Sequence, residues 1–173
     1  MKETCLETEE IFKGKVFKVK RDKVELEDGS TSMREIVLHN GGSSVVAITD
    51  DGNILLVRQY RYAYGEELYE IPAGKIEIGE DAKVCAEREL LEETGYRAGK
   101  IEHLTTIYPT PGYTSEKIRI YKATDLTFEA QHLDPGEFLE VCSVSIDSAK
   151  AMIEDGTIVD GKTIIGILLA TKY

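Results

Sequence analysis

Five of the acidic residues within residues 74–96 gather around one short stretch of the chain: Glu80, Glu87, Glu89, Glu92 and Glu93. The stretch reads as a single helix. Asp81 and Ala82 mark its start, and Gly95, suited to a left-handed cap, marks its stop. At about 100° per residue, Val84, Arg88 and Leu91 fall on one side. Ala82, Ala86, Glu89 and Glu93 line the opposite side, with Glu92 nearby. Glu89 and Glu93 are i,i+4 neighbours, and Glu89 and Glu92 are i,i+3. Like charges at those spacings repel by about 0.2–0.5 kcal/mol per pair. Glu92 and Glu93 also sit in the last turn, where the helix end is already partly negative. A divalent cation would remove both penalties. Hard cations such as Mg²⁺ take oxygen ligands and pair one or two carboxylates with substrate phosphates. The alternative is a solvated acidic face. Clustering at the C-terminal end of the helix argues against it.

Several elements must position these groups. Residues 16–39 read as short strands around a turn at Glu27-Asp28-Gly29. Asn40-Gly41-Gly42 then breaks the pattern and separates an N-terminal annex (1–42) from a main domain (43–173). Residues 44–49 and 54–57 read as a hairpin. Arg58 and Arg61 follow it, either as surface charge or as guanidinium contacts for phosphate or a stacked base. Tyr60, Tyr62 and Tyr64 read as packing side chains. Residues 68–71 make a strand that Pro72-Ala73-Gly74 ends. Beyond the acidic helix, strands are expected at 100–107, 116–123 and 139–145. Residues 108–114 form a turn-rich loop, and 131–138 form another around Asp134-Pro135-Gly136. Helices are expected at 146–154 and 163–171, the first capped by Asp147 or Ser148, the second starting near Asp160. This irregular alternation predicts an α/β (α+β mixed) fold with a mixed sheet covered by helices.

Composition narrows the partners. The chain has 173 residues and a formal net charge of −11. One domain with a small annex fits that length, and so acidic a chain is a poor partner for a nucleic-acid backbone. Phosphates must be handled locally, by cations and a few Arg or Lys. Cys5, Cys85 and Cys142 show neither zinc spacing nor a disulfide framework. No apolar run reaches membrane-spanning length, and the first ten residues lack the apolar core of a signal peptide. A cytoplasmic protein with no membrane partner is expected.

The spacing of the acidic stretch resembles the Nudix box. That box reads G, five of anything, E, seven of anything, then R-E-U-x-E-E-x-G-U, with U aliphatic. Here it is Gly74, Glu80 and Arg88-Glu89-Leu90-Leu91-Glu92-Glu93-Thr94-Gly95-Tyr96. The eight matching positions would coincide by chance on the order of once in 10⁹ starts. Tyr96 departs from the pattern and is expected to pack as a hydrophobe. Glu70-Ile71-Pro72-Ala73-Gly74, the run Arg58-Gln59-Tyr60-Arg61, and Pro111 with Gly112-Tyr113 resemble the ADP-ribose pyrophosphatase branch of that family.

The resemblance implies an α/β/α sandwich with a mixed sheet and an N-terminal antiparallel annex. It implies a homodimer in which the annex reaches the partner. It implies Mg²⁺-dependent hydrolysis of ADP-ribose to AMP and ribose 5-phosphate, with roughly two or three ions and Mn²⁺ as a possible substitute. Metal ligands carry over as the backbone oxygen of Ala73 with Glu89, Glu93 and Glu92. Glu80 and Arg88 orient the site, with Gly74 and Gly95 supporting it. The base is a glutamate from a loop after the box, Glu137 or, second, Glu140, with Glu92 also in the catalytic set. Arg61, Arg58, Glu70 and Pro111 are the substrate-side candidates. Two alternatives stay open: another nucleoside diphosphate compound, such as a nucleotide sugar or NADH, and a sensor that binds ADP-ribose without cleaving it. The complete box argues against the sensor.

Overall fold

A computed structural model describes residues 2–172. The chain divides into two compact units, one up to Gly41 together with Tyr108–Lys117, the other Gly42–Ile107 with Ile118 onward.

The first unit is a three-stranded antiparallel sheet, β1 (Thr4–Lys13), β2 (Lys18–Glu25) and β3 (Thr31–Leu38), in that order. β1 is exposed along its whole length. The β2–β3 turn lies where Glu27-Asp28-Gly29 predicts it. Gly29 takes φ +80°, and Asp28 accepts from both the backbone and the hydroxyl of Ser30. The 108–117 loop lies along β3 through Val37 N–H to Tyr113 O at 2.8 Å and Ser115 N–H to Val37 O at 2.9 Å.

The second unit is built on a mixed sheet. Its strands are β4 (Gly42–Ile48), β5 (Asn53–Arg61), β6 (Glu66–Glu70), β7 (Ala73–Lys75), β8 (Tyr96–Ile107), β9 (Ile118–Phe128) and β10 (Leu139–Ser145). The main path is β10-β5-β4-β9-β8, with β6 on β5 and β7 on β4. β4 and β9 run parallel, and the remaining pairs are antiparallel.

Strand alternation sorts the core into two layers. Val45 and Ala47 pack with Leu55, Tyr121 and Ala123 against Ala86 and Leu90 of α1 (Ala82–Thr94). Val46 packs with Ile54, Leu56, Ile71 and Ile120 against α2 (Ile146–Glu154) and α3 (Gly161–Ala170), through Ala149 and Ile167. Burying a side chain such as Leu90 contributes about 1.5–3 kcal/mol. Helices therefore cover both faces of a mixed sheet, as expected. Tyr96 does pack as a hydrophobe, against the α1-side cluster and edge-on to Phe128 at 5.2 Å between ring centroids.

Three local readings need correction. α2 is capped by Ser145, whose hydroxyl accepts from Ser148 N–H, and not by Asp147 or Ser148. The last strand residue thus doubles as the cap. β1 was not expected at all, because its sequence carries charge where an apolar alternation would show. Tyr60, Tyr62 and Tyr64 do not pack. They are exposed, Tyr62 at 91 %, at the end of the β5–β6 hairpin and in its turn. No described helix is long and apolar enough to cross a membrane.

Candidate active site

The site forms where β7 meets α1. Asp81 caps α1, accepting from Lys83 N–H at 2.8 Å, and Gly95 closes it in the left-handed conformation at φ +78°. The buried face of the helix is Cys85, Ala86, Leu90, Glu93 and Thr94, while Val84 is exposed. The helix thus turns a carboxylate, Glu93, inward with its apolar residues. Glu93 is only 5 % exposed. Its carboxylate accepts from Ala73 N–H at 3.0 Å.

Burial pushes the Glu93 carboxyl up to about 8, against the Ala73 N–H that holds it down. The negative charges of Glu89 and Glu137 push it further, and Arg61 opposes them. Glu89 is also raised, first by burial, with Glu92 and Glu137 adding to it against the charge of Arg88. Both carboxylates feel the charge on Glu137. Two raised carboxyls side by side on one helix mark a site that welcomes positive charge.

Arg88 supplies part of that charge from within. Its guanidinium donates to Glu80 at 3.0 Å and to Glu89 and Glu92 at 2.8 Å each. Helical periodicity alone sets Arg88 across the helix from Glu89, but its long side chain reaches back. The Arg88 hydrogen bond holds the Glu80 carboxyl below its ordinary range, and Glu80 also accepts from Glu77 N–H at 2.9 Å. Glu80 and Arg88 therefore brace the acidic groups. Among the described residues no three His, Cys, Asp or Glu side chains gather as a ready metal cage. Glu89 and Glu92 are both tied to Arg88, while Glu93 turns inward onto the Ala73 N–H.

Gly74 sets the spacing between β7 and the helix. A Cβ there would meet Glu89 Oε1 at 1.6 Å, so the carboxylate lies against bare backbone. This close approach requires glycine.

The 131–138 loop is tied to the C-terminal end of α1. Gln131 Nε2 donates to Glu93 O at 2.6 Å, and His132 N–H donates to Glu92 O at 3.0 Å. That anchoring carries Glu137 near enough for its charge to act on Glu89 and Glu93. Glu140 lies instead in β10, opposite Arg58, and pairs with it at 2.5 Å. Arg58 is thereby committed to Glu140 and, at 3.6 Å, to Glu67.

Arg61 and Glu70 form a two-pronged pair, at 2.6 and 2.7 Å. Glu70 is 2 % exposed and also accepts from Lys162, so its oxygens are occupied. Arg61 keeps 40 % of its side chain exposed. Pro111 belongs to the first unit. Sequence reasoning missed Gln131, His132, Lys162 and Thr163 as contributors. Their contacts to Glu93, Glu92, Glu70 and Ile71 join positions distant along the chain and leave no periodic trace.

The family described as NUDIX domain matches residues 39–164, and one described as nucleoside diphosphate sugar hydrolase N-terminal domain matches residues 3–37. The chain is 43 % identical over 167 residues to a methanol dehydrogenase activator of Bacillus methanolicus, covering 95 % of this chain and 90 % of that one. It is 40 % identical over 169 residues to an ADP-ribose pyrophosphatase of Bacillus subtilis (strain 168), covering 96 % and 91 %. Its fold matches a crystal structure of an ADP compounds hydrolase with a TM-score of 0.86 at 24 % identity, covering 98 % and 92 %.

Proposed function

The chain belongs to the Nudix family, and on that premise we propose that it is a pyrophosphohydrolase splitting ADP-ribose into AMP and ribose 5-phosphate. The observation that carries this reading is half-buried Glu89 and buried Glu93, set against the Gly74 and Ala73 backbone with the charge of Glu137 acting on both. The relative named as an ADP-ribose pyrophosphatase supports the substrate. The relative named as an activator states an effect on another enzyme and does not choose between bonds.

A divalent cation fits these residues. The donors are all oxygen, as Mg²⁺ or Mn²⁺ require, and the bare Gly74 backbone is what lets the Glu89 carboxylate lie against it. Glu89, Glu93 and Glu92 would hold it with the backbone oxygen of Ala73, Arg88 giving up its bonds to Glu89 and Glu92 in exchange. When bound, such ions, roughly two or three as in multi-metal phosphoryl sites, neutralise phosphate charge and lower the pKa of a water.

The protein's own groups do the rest. Arg88 and Glu80 fix the rotamers of Glu89 and Glu92. Glu137 accepts a proton from the water that attacks one phosphorus. The new P–O bond forms as the bridging P–O bond breaks, and the leaving phosphate departs as an anion. Glu137 suits this role better than Glu140, whose carboxylate is paired to Arg58. Arg61 contacts the substrate phosphates, and Glu70 holds it in place rather than touching substrate. No covalent nucleophile is needed.

The reading includes a two-fold homodimer through the first unit, where Leu6, Ile11, Phe12, Val16, Phe17 and Met33 are exposed. Two-fold dimers are the commonest closed assembly. Light scattering that reports a monomer at micromolar concentration contradicts that part.

The functional reading is tested by incubating the chain with ADP-ribose and Mg²⁺ and identifying the products by mass. AMP and ribose 5-phosphate are expected. Binding of ADP-ribose without release of either product would make the chain a sensor.

A further inference from the structure

Behind the Arg61–Glu70 pair the second unit holds further charged groups, Lys162 and Asp160, that the reaction above does not use. Lys162, in the first turn of α3, is 11 % exposed and donates to the buried Glu70 carboxylate and, at 3.0 Å, to Asp160. Asp160 also caps α3, accepting from Thr163 N–H at 3.0 Å and from the Thr163 hydroxyl at 2.6 Å. The Thr163 hydroxyl in turn accepts from Ile71 N–H at 2.9 Å. The start of α3 is thus bolted to the end of β6 at two successive residues, Glu70 and Ile71. Ala73, whose N–H holds Glu93, follows one residue later, after Pro72.

Charge sharing gives this cluster a consequence at the site. Glu70 Oε2 is bonded by both Arg61, at 2.7 Å, and Lys162. Were Arg61 its sole partner, the two-pronged pair would cancel the guanidinium charge. A substrate phosphate would then have to compete with a buried carboxylate for it. With Lys162 on the same oxygen, Glu70 is satisfied from behind. The exposed part of Arg61 keeps attraction for an anion, close enough to Glu93 for each charge to act on the other.

We propose that Lys162 is a positioning residue for substrate binding: by sharing the Glu70 carboxylate it frees the Arg61 guanidinium to hold a substrate phosphate. The proposal rests on the reading that Arg61 faces the diphosphate. Lys162 touches neither substrate nor reacting atoms, so its effect must pass through Arg61.

The test is a double-mutant cycle on the full chain, with ADP-ribose as the probe. Lys162→Met keeps the stem and removes the charge. It should raise KM about tenfold with kcat within about twofold. ADP-ribose binding to protein in chelator, measured by calorimetry, should weaken by about the same factor. Lys162→Arg should restore both to within about threefold. In an Arg61→Ala background, Lys162→Met should cost less than about twofold, since the route is already cut. A tenfold loss in that background, or an unchanged KM and binding constant in the single variant, overturns the proposal. Should Lys162→Met fail to fold, Lys162→Gln takes its place in the cycle. A wild-type enzyme that prefers another nucleoside diphosphate compound overturns the substrate reading alone. The cycle is then run on that compound and still decides the role of Lys162.

Discussion

Gly74 and Glu89 share a space that no side chain at position 74 can enter: a Cβ there would lie 1.6 Å from Glu89 Oε1 and 2.0 Å from its carboxyl carbon. Gly74→Ala must therefore push the carboxylate aside. That carboxylate is the tip of a flexible side chain, so the fold tolerates the shift, while the site does not. The variant should melt within a few degrees of wild type yet lose about 100-fold in turnover, the scale of a misplaced catalytic group. Full activity in Gly74→Ala would show that the position of Glu89 is immaterial.

Glu93→Gln separates charge from shape. The amide oxygen can still accept from Ala73 N–H, so β7 and α1 stay joined. Turnover should fall by more than the roughly 100-fold that changes behind the ligands cause. Stability in chelator should move the other way. The Glu93 carboxyl is pushed up to about 8, which means the fold disfavours its charged form. Its favourable contribution is complete below the ordinary carboxylate range and is lost as pH rises through about 8. At pH 8.5 without metal, Glu93→Gln should therefore melt at or above the wild-type temperature. A lower melting temperature contradicts the account.

The choice of base is read from two neutral substitutions. Glu137→Gln should lower kcat by about 10²–10⁴-fold, with KM within about threefold. Glu140→Gln removes only an exposed pair with Arg58, and kcat should stay within about threefold. The reverse pattern moves the base from the loop to β10.

Acid stability reports the Glu70 cluster. Burial alone would raise the Glu70 carboxyl, but the Arg61 hydrogen bonds and the charge of Lys162 outweigh it and hold it below its ordinary 4.5. A depressed folded value gives stability that is present above pH 4.5 and lost as pH falls through the folded value. Glu70→Gln leaves two cations without their buried partner and should cost about 3–5 kcal/mol at pH 7. The gap between variant and wild type should then narrow below pH 4.5, measured as urea midpoints. A gap that stays constant from pH 7 to pH 3 contradicts the assignment.

The parts legible in the sequence are those fixed locally. Asp81 and Gly95 bound α1 because caps act within one turn. The β4–β5 hairpin shows in its apolar runs and its Asp51-Gly52 turn. What escaped is set at long range or by reach. β1 has charged residues along its length and is a strand because β2 pairs with it. Periodicity gives the direction of the Arg88 Cα–Cβ bond, not the place where its guanidinium ends, beside Glu80, Glu89 and Glu92. Lys162 and Glu70 meet across 92 positions of chain, and nothing local announces it. Loop tethers such as Gln131 to Glu93 are equally silent in the sequence.

The central claim is a diphosphate site that prefers ADP-ribose, and competing substrates test it most directly. All of them share the bond to be cleaved, so discrimination comes from the flanking groups in the transition state. Each buried polar group left without its partner by the wrong sugar costs about 1–3 kcal/mol, which corresponds to a preference of roughly 10- to 100-fold. With Mg²⁺ present, kcat/KM should be measured for ADP-ribose, GDP-mannose, NADH and a nucleoside triphosphate in one series, with products identified. The account predicts ADP-ribose ahead of GDP-mannose and NADH by that factor, and the triphosphate very poor. Equal or higher efficiency on GDP-mannose or NADH contradicts it.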